Sequence, residues 1–449
     1  MTKGTTPEAI AVNGGNAMDA ISPHEGIQAG RLWSRLMGLA EYGAIDGDSA
    51  KGVNRQALSD EDAAAWQYMI ALCEGSRLEV ETDALGNLFI IAPGRDRSLP
   101  PVLLGSHLDS QPTGGRFDGA YGVLCALEVL LEREERGLRE NKPATAAVHE
   151  RDLIAVAWMN EEGSRFAPGM MGSMGFAGKM TVEDIRAVRD ASGVSVGEAL
   201  DRHLAAFAHL PRRPVGFPIA AYLELHIEQG PVLEANDNLI GVVTGIQGKQ
   251  TWTVDVTGEA GHSGTLAMRE RRDAVTAFAR IAAALDAELG TEDDVVKFTI
   301  GRAVVTPNAP SVVAERVVFS IDLRHPDNAV LTRLGNRIEA ICHAHASPCS
   351  VVATNIVNAP SNDFDAELQA LISAAAARFG YRAMPILSAA GHDARYMAPL
   401  APSAMIFIPC KEGISHNPAE WSTPEQVAAG GNVLYATLEA LVAIERTFP

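Results

Sequence analysis

Residues of one chemical kind recur at or just beyond apolar runs: His107, Asp118, an acid of the pair Glu161-Glu162, His226 and His416. Three imidazoles and two carboxylates, with no thiol among them, suit a hard or borderline divalent cation. Five donors exceed the needs of a single catalytic zinc, which takes three and keeps one position open. They suit two metals about 3.5–4 Å apart that share a carboxylate, activate water and polarise a carbonyl. The doubled acid then has a use, one carboxylate binding metal and the other taking a proton from water. Nitrogen and oxygen donors of this kind admit zinc, manganese, cobalt or nickel.

An α/β pattern places these side chains. Residues 102–104 (Val-Leu-Leu) open a buried strand that ends on His107, and a helix is expected after Asp118. In open α/β sheets, ligand sites lie beyond the carboxyl ends of the strands. Residues 152–160 form a near-continuous apolar run, the mark of a strand covered on both faces. It ends in Glu161-Glu162-Gly163, where two adjacent acids must be solvated or bound. Over 222–228, Leu223, Leu225 and Ile227 alternate with Glu224, His226 and Glu228, which predicts a strand whose polar face lines a cleft. Residues 404–410 predict another buried strand, with His416 just past it.

The remaining elements follow the same logic. Leu32, Leu36 and Leu39 give 27–42 a helical period, Ser59 caps a helix running to about residue 74, and 78–82 and 87–92 read as strands. From 245 the order is strand (251–257), helix (271–289), strands (295–305 and 316–324), helix (327–346), strand (351–357), which is the ferredoxin-like split βαβ. Its strands alternate, leaving one sheet face open or available to a partner. Helix (364–379), strand (384–389), the 404–410 strand and helix (424–444) resume the α/β pattern. The expected division is a loosely ordered tail (1–25), a catalytic domain in two parts (26–244 and 361–449) and an inserted domain (245–360). Hinges are expected near 243–245 and 358–362.

Composition narrows the function class. The net charge of −19 (37 basic, 56 acidic) argues against nucleic-acid and anionic-membrane partners. No apolar run approaches the ~18 residues of a membrane span. The five cysteines are scattered, without a C-x-x-C pair, as in a reducing cytosol. A cytoplasmic protein is expected.

The segments GSHLDSQPTGGRFDG (105–119), NEEGSRF (160–166), ELHIEQG (224–230), GHSGT (261–265), DLRH (322–325), GHDA (391–394) and GISHNPAE (413–420) resemble the hydantoinase/carbamoylase branch of the M20 metallopeptidase clan. That branch includes N-carbamoyl-L-amino acid hydrolases, allantoate amidohydrolases and β-ureidopropionases. The clan's carboxypeptidases usually carry an acid where His226 stands. The resemblance implies an M20-type catalytic domain with a mixed, largely parallel sheet and a ferredoxin-like lid and dimerisation domain. It implies two divalent metals per subunit, one held by His107, Asp118 and His226, the other by Asp118, Glu162 and His416. Glu161 would be the general acid/base. His262, Asn308 and Arg324 of the inserted domain, with Gln229, would meet the substrate, and His262 would assist catalysis at the carbonyl. Where the family often has Ser-Gly-Ala-Gly-His-Asp-Ala, this chain reads SAAGHDA (388–394), and Ala389 restricts that loop.

Arg324 shares a strand face with Ser320 and Asp322, opposite Phe319, Ile321 and Leu323. Its planar fork either grips a substrate carboxylate or pairs with Asp322. His262 between glycines either polarises a ureido carbonyl or is a turn residue. The expected activity is hydrolysis of the C–N bond of an N-carbamoyl or ureido group on a small carboxylate by a cytosolic homodimer. The alternatives are an M20-type peptidase or aminoacylase acting on N-acyl amino acids, and a catalytically inactive binding protein.

Overall fold

The computed structural model describes residues 26–139 and 149–443; the expected tail, 1–25, lies outside them. The strands, in chain order, are β1 (Glu79–Thr82), β2 (Leu88–Ala92), β3 (Val102–His107), β4 (Leu153–Trp158), β5 (Ala221–Ile227), β6 (Ile240–Ile246), β7 (Gly248–Thr257), β8 (Gly261–His262), β9 (Lys297–Thr306), β10 (Val312–Val313), β11 (Arg316–His325), β12 (Ser350–Ala359), β13 (Asn362–Asp363), β14 (Ala383–Ser388) and β15 (Ser403–Ile408).

Nine of them form one mixed sheet in the order β1-β2-β4-β3-β5-β15-β6-β13, with β14 also paired to β6. Its centre, β4-β3-β5-β15, is parallel throughout. Every residue of those four strands is buried, because helices cover both sheet faces. On one face, Leu104, Leu223, Leu225 and Ile406 pack with Leu124 and Leu127 of the helix Ala120–Arg139 and with Leu434 of the helix Pro424–Ala443. On the other, Trp158, Tyr222 and Phe407 pack with Phe176 and Met397.

Three features differ from the sequence expectation. β5 alternates polar with apolar, but both of its faces are buried, so Glu224 sits in a hydrogen-bonded interior instead of lining an open cleft. Glu228 turns away from the site and accepts the N–H groups of Val232 and Leu233 at 2.7 and 2.8 Å, capping the short helix Val232–Ala235. Residues 243–245 lie within the paired strand β6, so the first crossing falls later than expected, whereas the second falls inside the expected 358–362. The chain therefore crosses between sheets at Gln247 and at Pro360-Ser361.

The second sheet, antiparallel and ordered β12-β7-β11-β9, has the 4-1-3-2 arrangement of the split βαβ unit. The helices Ala274–Leu289 and Asn328–Ala346 pack on one face, against Val254, Val256, Val317, Phe319, Ile321 and Leu323. All five cysteines are buried and free. No helix among the described residues is long and apolar enough to cross a membrane.

Candidate metal centre

The four central strands all present their carboxyl ends to one place. His107 is the last residue of β3, Glu161 and Glu162 follow β4, His226 is next to last in β5, and His416 follows β15. This is the ligand position that parallel topology dictates. Asp118 arrives at the head of the helix Ala120–Arg139 through a turn at Gly119, where φ is +63°. A Cβ at Gly119 would lie 2.3 Å from the His107 ring, so the turn needs glycine for both its conformation and its closeness to that imidazole.

Asp118 is the centre of the cluster. Its Oδ1 lies 3.2 Å from His226 Nε2 and 3.7 Å from His107 Nε2, while its Oδ2 lies 3.2 Å from His416 Nε2. His416 Nε2 is 3.4 Å from Glu162 Oε2. Two sets of donor atoms result, each within 4.8 Å of one another: His107, Asp118 and His226, and Asp118, Glu162 and His416. The Nδ1 atoms of His107 and His226 each lie 2.9 Å from a main-chain carbonyl, of Asp109 and Ile227. Donation there leaves the Nε2 lone pairs directed at the cluster, the tautomer a metal ligand requires. The donor set and its outer hydrogen bonds thus fit divalent metal.

Glu161 Oε2 lies 3.6 Å from His107 Nε2 without belonging to either donor set. Burial, then the charges of Asp393 and Glu162, push its carboxyl well above the usual range. Burial and Asp118 raise Glu162 to about 8. Burial depresses His107 to about 4. Burial opposes protonation of His226 too, but the hydrogen bond and charge of Asp118 outweigh it and raise it to about 9. His416, hydrogen-bonded to Asp118, also rises to about 9. Glu161 and Glu162 thus resist ionisation while His226 and His416 hold protons against Asp118, the pattern of a site short of positive charge, which divalent cations would supply.

Several residues beyond the sequence-predicted set hold this arrangement. The Asp109 carboxylate accepts the N–H groups of Glu161 and Glu162, both at 3.1 Å. Gln111 Nε2 donates to Glu162 at 2.7 Å. Glu420 accepts the N–H groups of Phe117 and Asp118 and the hydroxyl of Ser415. Behind the histidines, Glu224 accepts from Ser106, Tyr222 and the Ala394 N–H. A buried acid two residues past His107, and an acid inside the SHNPAE segment, were the available signals for Asp109 and Glu420.

Of the expected substrate residues, Gln229 joins the cluster, its Nε2 donating to Asp118 at 3.0 Å. Arg324 reaches the catalytic layer, its Nη1 donating 2.8 Å to the carbonyl of Ala389, while its Nε and Nη2 hold Asp322 at 2.7 and 3.2 Å. His262 and Asn308 are exposed on the inserted unit, and the His262 ring accepts the N–H of Gly264 in its own turn.

The sequence pattern of peptidase family M20/M25/M40 matches residues 103–440. The chain belongs to that family. Within the M20 family it falls among the hydantoinase/carbamoylase amidases. It is 38% identical over 434 residues to an N-carbamoyl-L-amino-acid amidohydrolase of Rhizobium meliloti, covering 95% of this chain and 100% of that protein. It is 36% identical over 411 residues to an allantoate amidohydrolase of Escherichia coli, covering 90% and 95% of the two chains. The crystal structure of a hydantoinase/carbamoylase family amidase from Burkholderia vietnamiensis superposes with a TM-score of 0.83 at 39% identity, covering 93% of this chain and 98% of that one. This M20 protein is an amidohydrolase, a hydrolase of carbon–nitrogen bonds other than peptide bonds. Its fold is the family's catalytic sheet with a separate four-stranded lid sheet.

Proposed function

We propose that this M20 amidohydrolase cleaves the C–N bond of an N-carbamoyl or ureido group on a small carboxylate, in the cytoplasm, with two divalent metals per subunit. The observation that carries the reading is Asp118, whose two oxygens each face a different histidine. His107, Asp118 and His226 would hold one ion, and Asp118, Glu162 and His416 the other. Bound there, the ions would supply Lewis acidity toward the ureido carbonyl and lower the pKa of water.

The chain's own groups do the rest. Glu161, beside His107 but in neither donor set, takes the proton of the attacking water and delivers it to the leaving nitrogen. Asp109 fixes the main chain of Glu161 through its N–H. Gln229 orients Asp118 and borders the substrate. Arg324 takes the substrate carboxylate, and His262 and Asn308 reach the substrate when the lid closes, His262 toward the developing oxyanion. The carbamate formed would collapse, so the products are the amine, ammonia and carbon dioxide. Residues 245–360 would be both lid and dimerisation domain, with 26–244 and 361–449 forming the catalytic domain.

A panel of N-carbamoyl-amino acids, N-carbamoyl-β-alanine and allantoate, with zinc, manganese, cobalt or nickel added back, tests this. Metal-dependent ammonia release from at least one compound is expected. Turnover of N-acyl amino acids with no ammonia from any ureido compound would favour the aminoacylase or peptidase alternative.

A further inference from the structure

The second sheet has one helix-covered face and one uncovered face, and the uncovered face is charged unevenly. Strand register sets Lys249 of β7 and Lys297 of β9 directly opposite Arg324 of β11, one on each side. Residues opposite one another on antiparallel neighbours share a face and stand about 5 Å apart. The same face carries Arg302 and Arg316, opposite Ser320 and Thr257. Against these five cations stand two carboxylates, Asp255 and Asp322. Arg316 occupies Asp255 at 2.6 and 2.9 Å. Asp322 is shared by Arg324 and Lys249, whose Nζ lies 3.1 Å away. No carboxylate of this face is left for Lys297, in a chain whose net charge is −19.

Arg324 ties the row to the loop that backs the metal centre. The Ala389 carbonyl that accepts from Arg324 accepts from Gln247 Nε2 as well, both at 2.8 Å. In the same loop the His392 ring lies 4.5 Å from the ring of His226. The three-cation row Lys249–Arg324–Lys297, less the one charge of Asp322, keeps one more positive charge than a single substrate carboxylate would match.

We propose that Lys249 and Lys297 form a second anion subsite beside Arg324, and that the preferred substrate carries two carboxylates: an N-carbamoyl derivative of a dicarboxylic amino acid of aspartyl or glutamyl size. The proposal rests on the ureido-hydrolase reading above. The fork of Arg324 suits the carboxylate nearest the ureido group, held in fixed geometry. A lysine ammonium on a flexible stem suits the second, whose reach varies with the side chain.

The test compares N-carbamoyl-L-aspartate with N-carbamoyl-L-asparagine, isosteric but neutral at the side chain, on the full-length, metal-loaded enzyme. The ratio of kcat/KM values should favour the aspartyl compound about tenfold at low salt and fall toward unity as ionic strength rises. Lys249→Gln and Lys297→Gln should each lower that ratio about two- to fivefold, the range of exposed ion pairs. Lys297 is exposed, so its variant tests the subsite without burdening the fold. Equal turnover of the two compounds, or lysine variants with an unchanged ratio, would overturn the subsite and leave the ureido-hydrolase reading standing. No ammonia from either compound or from the wider panel would overturn both.

Discussion

The carboxylate of Glu420 accepts the main-chain N–H of Asp118 at 3.1 Å, and its other oxygen accepts the Ser415 hydroxyl at 2.9 Å. One buried carboxylate therefore joins the turn that carries the shared acid to the loop that carries His416. Gly115 makes room for it, since a Cβ there would lie 2.1 Å from Glu420 Oε1. Glu420→Ala would strand the N–H groups of Phe117 and Asp118 in the interior. A loss of about 2–5 kcal/mol in denaturant unfolding is expected, with metal binding weakened about 10–100-fold in calorimetric titration. Unchanged stability and metal affinity would remove Glu420 from this role.

Arg324 is expected to act on both binding and turnover. Its pairing with Asp322 aims the guanidinium, and its bond to Ala389 ties the lid to the catalytic loop. Arg324→Ala should cost about 2–5 kcal/mol in kcat/KM toward a free carboxylate, lower kcat as well, and abolish most of the preference for that carboxylate over its amide. Wild-type enzyme that turned over acid and amide equally well would show that Arg324 is no carboxylate clamp.

Which parts of this were legible in the sequence follows from the physics of each residue. β4 and β15 are near-continuous apolar runs, and β3 opens on one, because both their faces are covered, and His107, the Glu161-Glu162 pair and His416 stand out by ending or following them. β6 (Ile240–Ile246) carries no continuous apolar run, because two glycines interrupt it beside the expected domain boundary; it pairs antiparallel to β15 and parallel to β14. The helices Met171–Phe176, Val182–Ala187 and Val196–Ala206 are short, and no long period announces them. Asp109 and Glu420 work by accepting main-chain N–H groups 52 and 302 residues away, and no local spacing rule reveals such partners. Glu228 shares the alternation of His226 yet caps a helix, so alternation alone does not separate a ligand from a cap.

The lid sheet should mediate a homodimer. Its edge strands β9 and β12 expose Val304, Val352 and Ile356 at 44, 63 and 56%. Unpaired edges with apolar side chains are ready to join a second copy across a two-fold axis. Light scattering at micromolar concentration should give twice the chain mass, and a monomer there would count against the assembly.

Acid sensitivity should be traceable to His149. Its ring is buried, with Nε2 3.1 Å from the Ala92 carbonyl, and burial depresses its pKa from 6.5 to about 4. A histidine depressed on folding contributes stability above its unfolded pKa and loses it as the pH falls toward the folded value. That contribution should shrink by about 2 kcal/mol between pH 7.5 and 5. His149→Gln should therefore lose less stability than wild type over this interval in denaturant unfolding. Parallel losses in the two proteins would assign the acid sensitivity elsewhere.

The most direct measurement of the central claim is made on Glu161→Gln, with bound metal and ammonia release from the best ureido substrate determined on the same preparation. Glu161 lies 3.6 Å from His107 yet outside both donor sets, and glutamine keeps its shape without accepting a proton. The variant should retain two equivalents of divalent metal and lose about 10²–10⁴-fold in kcat, the usual cost of removing a general base. Full metal with near-normal kcat would contradict the account and turn attention to Glu162 as the base.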